Sequence, residues 1–221
     1  MASELAFVLI NPYTIAKSRT GGVIGRFMSR TGLDLVSARM FAPSRELVET
    51  YTGLVAKDPS LSPEIRRLLA DYVMRSYAPD KETGRRRRVL MILLEGEDAV
   101  RKVFEVAGPV TMGSGETIRD TFGDYVVDPS GRVSYFEPAV MIGSDREQTA
   151  SALNLWSRYS GTDGGFLRET VDSQPDAEGW QRTLVLIKPD SFRFPSARPG
   201  NIIDLLSRSG LRIIAAKVHR M

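Results

Sequence analysis

Two distant stretches of this chain carry one pattern. Residues 6–40 begin "AFVLINPYTI" and continue through "GGVIGRFMSRTGLDLVSARM"; residues 183–221 begin "TLVLIKPDSF" and continue through "PGNIIDLLSRSGLRIIAAKVHRM". With a one-residue gap in the loop after the first apolar run, Gly22 falls on Gly200, and Ile24 on Ile202. In the same alignment Ser29-Arg30 fall on Ser207-Arg208, and Gly32-Leu33 on Gly210-Leu211. A repeat at this distance is the duplication of a domain-sized unit rather than the short period of a solenoid. It constrains the fold strongly. A length of 221 residues suits one full domain and part of a second.

Each copy reads as strand, helix, strand. Leu5 to Ile10 is a short continuous apolar run stopped by Asn11-Pro12, the pattern of a strand buried on both faces. Val23, Ile24, Phe27 and Met28 share a helical face, and Gly32 suits the left-handed residue that closes a helix. "LDLVSARMF" alternates like a half-buried strand. Further on, Ser44 is expected to cap a helix through "SRELVETYTGLV". Ser62 and Pro63 start another over 62–78, with Ile65, Leu68, Leu69, Tyr72 and Val73 on one stripe. "VLMILLEG" is a second buried strand, followed by a short helix ending near Gly108. "MGSGETIRDTFGD" reads as irregular, "DYVVDPSGRVSYF" as a hairpin turning at Asp128 to Gly131. Ser144 and Glu147 have capping-box spacing before a last helix.

Strand-helix units split by intervening elements predict an α+β domain. The plan is ferredoxin-like, βαββαβ, with an antiparallel sheet, helices on it and a partial β-α-β repeat after it. The expected division is residues 1–160, a linker rich in Gly, Asp and Ser over 161–182, and the second copy over 183–221. The apolar face of that copy (Ile202, Ile203, Leu206, Ile213, Ile214) cannot be buried by its own three elements. It must pack on the first domain, pair with another chain or stay disordered.

Composition narrows the function classes. The chain has no cysteine, which removes disulfides, thiolate catalysis and cysteine metal sites. Apolar residues make up 42% and charged residues 26%, a globular balance with a net charge of only +3. The run Arg85 to Arg88 reads as a solvated loop before it reads as a nucleic-acid contact, so nucleic acid is not an expected partner. The first residues lack a basic n-region, and their apolar run is too short for a membrane span. A soluble, cytoplasmic protein with no membrane partner is expected.

In order along the chain, "LVLIKPDSF", "ETYTGL", "LLEGEDAV", "GETIRDTFGDY" and "MIGSD" resemble the motifs of nucleoside diphosphate kinases, over roughly residues 5–159 and again from 183. The resemblance implies a ferredoxin-like fold, homo-oligomers and transfer of a γ-phosphate between nucleotides through a phosphohistidine. That chemistry needs an imidazole nucleophile and cations around a phosphoryl group whose negative charge is dispersed. The family's histidine position is held here by Ile142, its lysine by Asn11, the aspartate after the proline by Tyr13, and a supporting asparagine by Ala139. An arginine of the family falls at Phe104. Tyr51, Arg119 and the Gly143-Ser144-Asp145 turn are retained.

Isoleucine has no lone pair to attack phosphorus. The losses are coordinated, so the first copy is expected to be a pseudoenzyme. His219 is the chain's single histidine and lies in the second copy, away from the nucleophile position, where a structural role is expected. Lys188-Pro189-Asp190 match the family, yet the tyrosine, arginine and histidine motifs do not follow before Met221. The chain therefore reads as part of a longer tandem protein. Tyr51 and Arg119 are equally compatible with phosphate contact and with a structural role; with Asn11 and Lys188 they are the candidate nucleotide-binding residues. Gly21-Gly22 read as a loop and helix start before a phosphate cradle. No tightly bound cofactor is expected. Mg²⁺ would arrive with an ATP- or ADP-type nucleotide, since it keeps most of its waters and needs few protein ligands. The alternatives to an enzyme are a nucleotide-binding regulatory module and an oligomerisation scaffold for an adjoining active domain.

Overall fold

The first apolar run forms β1, Glu4–Ile10, in the computed structural model, which describes residues 3–111, 113, 115–164 and 181–219. Successive strand residues face opposite sides of a sheet. Ala6, Val8 and Ile10 enter one core, Phe7 and Leu9 the other, which is why this strand tolerates no polar position in its buried part. Chain order then gives α1 (Pro12–Ala16), α2 (Thr20–Thr31), β2 (Asp34–Phe41), α3 (Arg45–Ala56), α4 (Pro63–Tyr77) and β3 (Val89–Gly96). After these come α5 (Ala99–Ala107), α6 (Ile118–Phe122), β4 (Asp124–Val127), β5 (Val133–Glu137), β6 (Val140–Ile142) and α7 (Arg146–Arg158).

Four strands form an antiparallel sheet in the order β2-β3-β1-β6. β4 and β5 form a separate hairpin. Helices cover both faces of the sheet. Val23, Phe27 and Met28 of α2 and Val100 and Val103 of α5 fill the first core. Leu47 of α3, Leu69 and Val73 of α4 and Trp156 of α7 fill the second. This is the ferredoxin-like α+β plan expected from the sequence.

The local signals behave as their chemistry demands. Ser44 and Ser62 accept from the amides of Leu47 and Ile65, each at 3.3 Å, and Pro63 opens α4. Gly32 closes α2 in the left-handed region at φ 66°. Two readings change. The stretch expected to be irregular contains α6, opened by a reciprocal capping box between Thr117 and Asp120. The cap of α7 is Asp145, which accepts from Gln148, rather than the Ser144 and Glu147 pair. Ser144 is drawn away because its hydroxyl donates to Asp58.

Packing of the first domain runs to Gly164. Asp163 is buried, its carboxylate accepting from the Ser44 amide (2.8 Å) and hydroxyl (2.6 Å) and from Arg86 (3.3 Å). Most of the expected linker, residues 165–180, lies outside the described residues.

Residues 183–219, expected as the start of a second copy, form α8 (Arg198–Ser207), preceded by a 3₁₀ turn at Pro189–Phe192. The strands expected on either side of α8 do not form. A counterpart of β1 needs strands on both flanks, and residues 181–219 hold no counterparts of β3 and β6. Leu184 and Leu186 are accordingly exposed. The second flank joins the first domain at a single bridge, Arg39 to Lys217. Of the three fates open to this segment's apolar face, the structure shows packing on the first domain. Phe192, Ile203, Ile213 and Ala216 rest against the first core. Among the described residues, no helix is long and apolar enough to cross a membrane.

Candidate functional site

The short strand β6 ends at Ile142, and the turn Gly143-Ser144-Asp145 follows before α7. Ile142 lines a cleft of about 250 Å³ together with Asp58, Leu61, Ile65, Phe104 and Arg119. These residues come from the loop after α3, from α4, from α5, from α6 and from the end of β6, so the cleft exists only once the domain is assembled. Ile142 and Phe104, far apart in the sequence, thus face one space. Both present carbon to it.

Arg119 sits in α6, beneath the cleft, and is 9% exposed. Its Nη1 donates to the Gly108 carbonyl at 2.6 Å, while its Nε has no hydrogen-bond partner. Burial pulls its pKa down to about 10, an effect the nearby Tyr51 phenol partly offsets. The guanidinium remains charged at neutral pH. Tyr51 lies on α3, fully packed between the Tyr77 and Trp156 rings. Burial pushes its phenol up, with Arg119 pulling the other way. Of these two candidate residues, Arg119 lines the cleft and Tyr51 does not.

The cleft lining also carries Asp58, 5% exposed. Its oxygens accept from the Ser60 amide (2.9 Å), the Ser60 hydroxyl (2.7 Å) and the Ser144 hydroxyl. This carboxylate is built into the turn after α3 and adds an acidic group to the cleft wall. Among the described residues, no group of three or more His, Cys, Asp or Glu side chains could hold a metal ion.

Asn11 and Lys188 lie elsewhere. Asn11 is fully buried. Its Nδ2 donates to Glu137 Oε1 at 3.1 Å, and its Oδ1 accepts from the Tyr77 hydroxyl at 2.6 Å. The Tyr72 hydroxyl lies within 2.8 Å of both Glu137 oxygens, and the Ala139 amide donates to Oε1 at 3.2 Å. Ala139 itself stands at φ 61°, a left-handed conformation. Its carbonyl accepts from the Asn11 amide (3.1 Å) and the Thr14 hydroxyl (2.8 Å). Asn11 and Ala139 are thus locked to each other and to Glu137. Lys188 is exposed, immediately before the 3₁₀ turn, and does not line the cleft. His219 is also exposed and outside it.

Sequence reasoning missed Asp58 and Glu137. Asp58 carried a faint signal in "KDPS", an Asp-turn pattern. Glu137 stands in "YFEPAVM", an acid among apolar neighbours, and a buried carboxylate requires donors to meet it. The Gly21-Gly22 pair takes the structural role: both lie within α2, and Gly21 meets α8. In the arginine run, Arg86 is committed to the Ala42 carbonyl and to Asp163.

No family model matches the chain. Individual relatives do. The nucleoside diphosphate kinase of Synechococcus sp. (strain WH7803) is 28% identical over 185 residues, covering 82% of this chain and 98% of the relative. That of Legionella pneumophila (strain Lens) is 32% identical over 129 residues, covering 57% of this chain and 79% of the relative. Among solved structures, the Borrelia burgdorferi nucleoside diphosphate kinase, a transition-state mimic with bound vanadate and ADP, superposes with a TM-score of 0.50. Its 16% identity, over 70% of this chain and 86% of that one, speaks to the fold alone.

Proposed function

This chain belongs to the nucleoside diphosphate kinase family, and we propose that its first domain is a catalytically silent member that serves as a scaffold for an adjoining domain. The observation that carries this reading is Ile142 lining the cleft. A ping-pong phosphotransfer needs a nucleophile at that wall, and loss of one typically lowers the rate by about 10⁶-fold. Three further features support it. Phe104 brings carbon to the same cleft, Asn11 is consumed by Glu137 and Tyr77, and Arg119 is anchored on Gly108. The cleft retains a shape but little of the charge that phosphoryl transfer requires.

Incubation with γ-labelled ATP and Mg²⁺ tests the reading. The expected result is no acid-labile phosphate on the protein and no labelled triphosphate formed from an added diphosphate. Either product would overturn it.

A second reading has its own observation. Arg119 Nε is buried beside the cleft without a partner, and the charge persists at neutral pH. An anion entering the cleft would satisfy it. The domain would then be a nucleotide-binding regulatory module that senses rather than transfers, with Mg²⁺ held by the nucleotide's own phosphate oxygens. Calorimetric titration of ADP with Mg²⁺ separates the readings. Micromolar binding that Arg119→Ala abolishes favours the sensor; absence of binding leaves the scaffold.

A further inference from the structure

The face that α8 covers is made for close approach. A Cβ on Gly21 would lie 2.4 Å from the Asp204 amide nitrogen and 2.4 Å from the Gly200 carbonyl oxygen. A Cβ on Gly200 would lie 2.3 Å from the Gly21 oxygen and 2.3 Å from the Gly25 nitrogen. The backbones of α2 and α8 therefore touch, and only glycine permits it. Beside this crossing the chain after α8 runs antiparallel to the free edge of β2. The Met40 amide donates to the Ala216 carbonyl at 3.2 Å, and the Val218 amide donates to the Ala38 carbonyl at 3.3 Å.

The partners are not arbitrary. The repeat alignment that sets Gly22 on Gly200 and Gly32 on Gly210 also sets Ala38 on Ala216, Arg39 on Lys217 and Met40 on Val218. Arg39 thus bridges its own counterpart, Ala38 meets the counterpart of Met40, and Met40 meets the counterpart of Ala38. The helix crossing is not reciprocal in the same way, since Gly200, the counterpart of Gly22, is seated on Gly21 and Gly25 of α2 while Gly22 itself faces the Phe122 ring; the strand contacts carry the symmetry. Contacts of this kind define an isologous interface, in which residue i meets j and j meets i about a two-fold axis.

We infer that residues 198–218 dock in cis on α2 and β2 as a pseudo-two-fold mate of the first copy, filling a self-recognition face that α2 and β2 would otherwise offer to a second chain. The inference goes beyond the proposed function, because it does not depend on whether the cleft is silent or binds a nucleotide. Arg39 and Lys217 bring like charge to the axis. Arg39 meets it by turning its guanidinium to the Ser160 carbonyl at 3.1 Å. Ile203, Ile213 and Ala216, packed on the first core, supply the apolar gain.

The absence of cysteine makes the test clean. Arg39 and Lys217 form a non-hydrogen-bonded antiparallel pair, flanked by the two backbone bonds above. At such a pair the Cα atoms stand about 4.5 Å apart, within disulfide reach. In the full chain, Arg39→Cys with Lys217→Cys is expected to oxidise to a crosslink within one chain, seen as monomer mass with a protease-resistant link between the two peptides. Arg39→Cys alone is expected to give no crosslinked dimer, because its partner position is occupied by Lys217. Adding Gly200→Val to Arg39→Cys should unseat α8, expose the face and yield a dimer joined through the thiols introduced at position 39 of each chain. A crosslink between chains in the double-cysteine protein, no crosslink at all in that protein, or a crosslinked dimer of Arg39→Cys without Gly200→Val would each overturn the inference. The double-cysteine protein leaves the helix crossing untouched, so the test stands even if the valine variant does not fold.

Discussion

Asn11 Nδ2 donates to Glu137 Oε1 across 3.1 Å, in a network where Asn11 Oδ1 also takes the Tyr77 hydroxyl. The asparagine joins the end of β1 to the end of β5 and is fully buried. Asn11→Ala leaves a phenol and a carboxylate oxygen each short of a partner inside the protein. The expected loss is about 2–3 kcal/mol of unfolding free energy, read from urea denaturation with an unchanged m-value. A loss below about 0.5 kcal/mol, the level of a neutral surface change, would show that the network relaxes without it.

Glu137 gives that network a pH dependence. Burial raises its pKa, and the bonds from Tyr72, Asn11 and the Ala139 amide offset only part of the rise. The folded chain then holds this proton to higher pH than the unfolded chain does. Stability from this group is complete below the unfolded carboxylate value, declines as pH rises through the folded value, and stays lower above it. Glu137→Gln removes the ionisation. Relative to the variant, the parent is expected to lose thermal stability between about pH 4 and neutrality. Parallel melting profiles across that range would contradict the assignment.

Ala139 holds φ 61° while fully buried, a conformation that costs a non-glycine residue about 1–2 kcal/mol. The strain persists because its amide and carbonyl are both bonded, to Glu137, Asn11 and Thr14. Ala139→Gly relieves it, against an entropic cost of about 0.5–1 kcal/mol in the unfolded chain. A net gain of about 0.5 kcal/mol is expected by chemical denaturation. A clear loss would mean that the methyl packs better than the backbone is strained.

The sheet was legible because β1 and β3 must be apolar on both faces, and few other elements read that way. The caps at Ser44 and Ser62 were legible because their partners lie three residues away. α6 was not, since five residues among glycines carry no periodicity and its capping box uses Asp120 rather than Glu or Gln. In the candidate site, family motifs singled out Ile142, Phe104 and Arg119, whereas nothing singled out Asp58 and Glu137. Asp58 shows locally only its turn with Ser60, and the other partners lie far along the chain: Ser144 for Asp58, and Asn11 and Tyr72 for Glu137. Pairings at that separation leave no local pattern. The strands expected after residue 183 failed for the opposite reason. Their local pattern is correct, but a strand that belongs at the centre of a sheet needs flanking strands that residues 181–219 do not supply.

Restoring one atom of the chemistry should not restore the chemistry. Ile142→His returns an imidazole to the cleft wall, but its surroundings stay as they are. Phe104 remains apolar in the same cleft, Asp58 keeps its carboxylate there, and Arg119 is held at 2.6 Å by the Gly108 carbonyl. A metaphosphate-like transition state spreads charge over three oxygens and needs several cations in place at once. The variant is therefore expected to form no acid-labile phosphoprotein with ATP and Mg²⁺, alone or with Phe104→Arg. Calorimetry on the same variants checks binding separately from transfer. Phosphorylation of the single variant would mean that the cleft still receives a triphosphate in attack geometry, and the silent reading would then rest on one missing side chain rather than on a dismantled site.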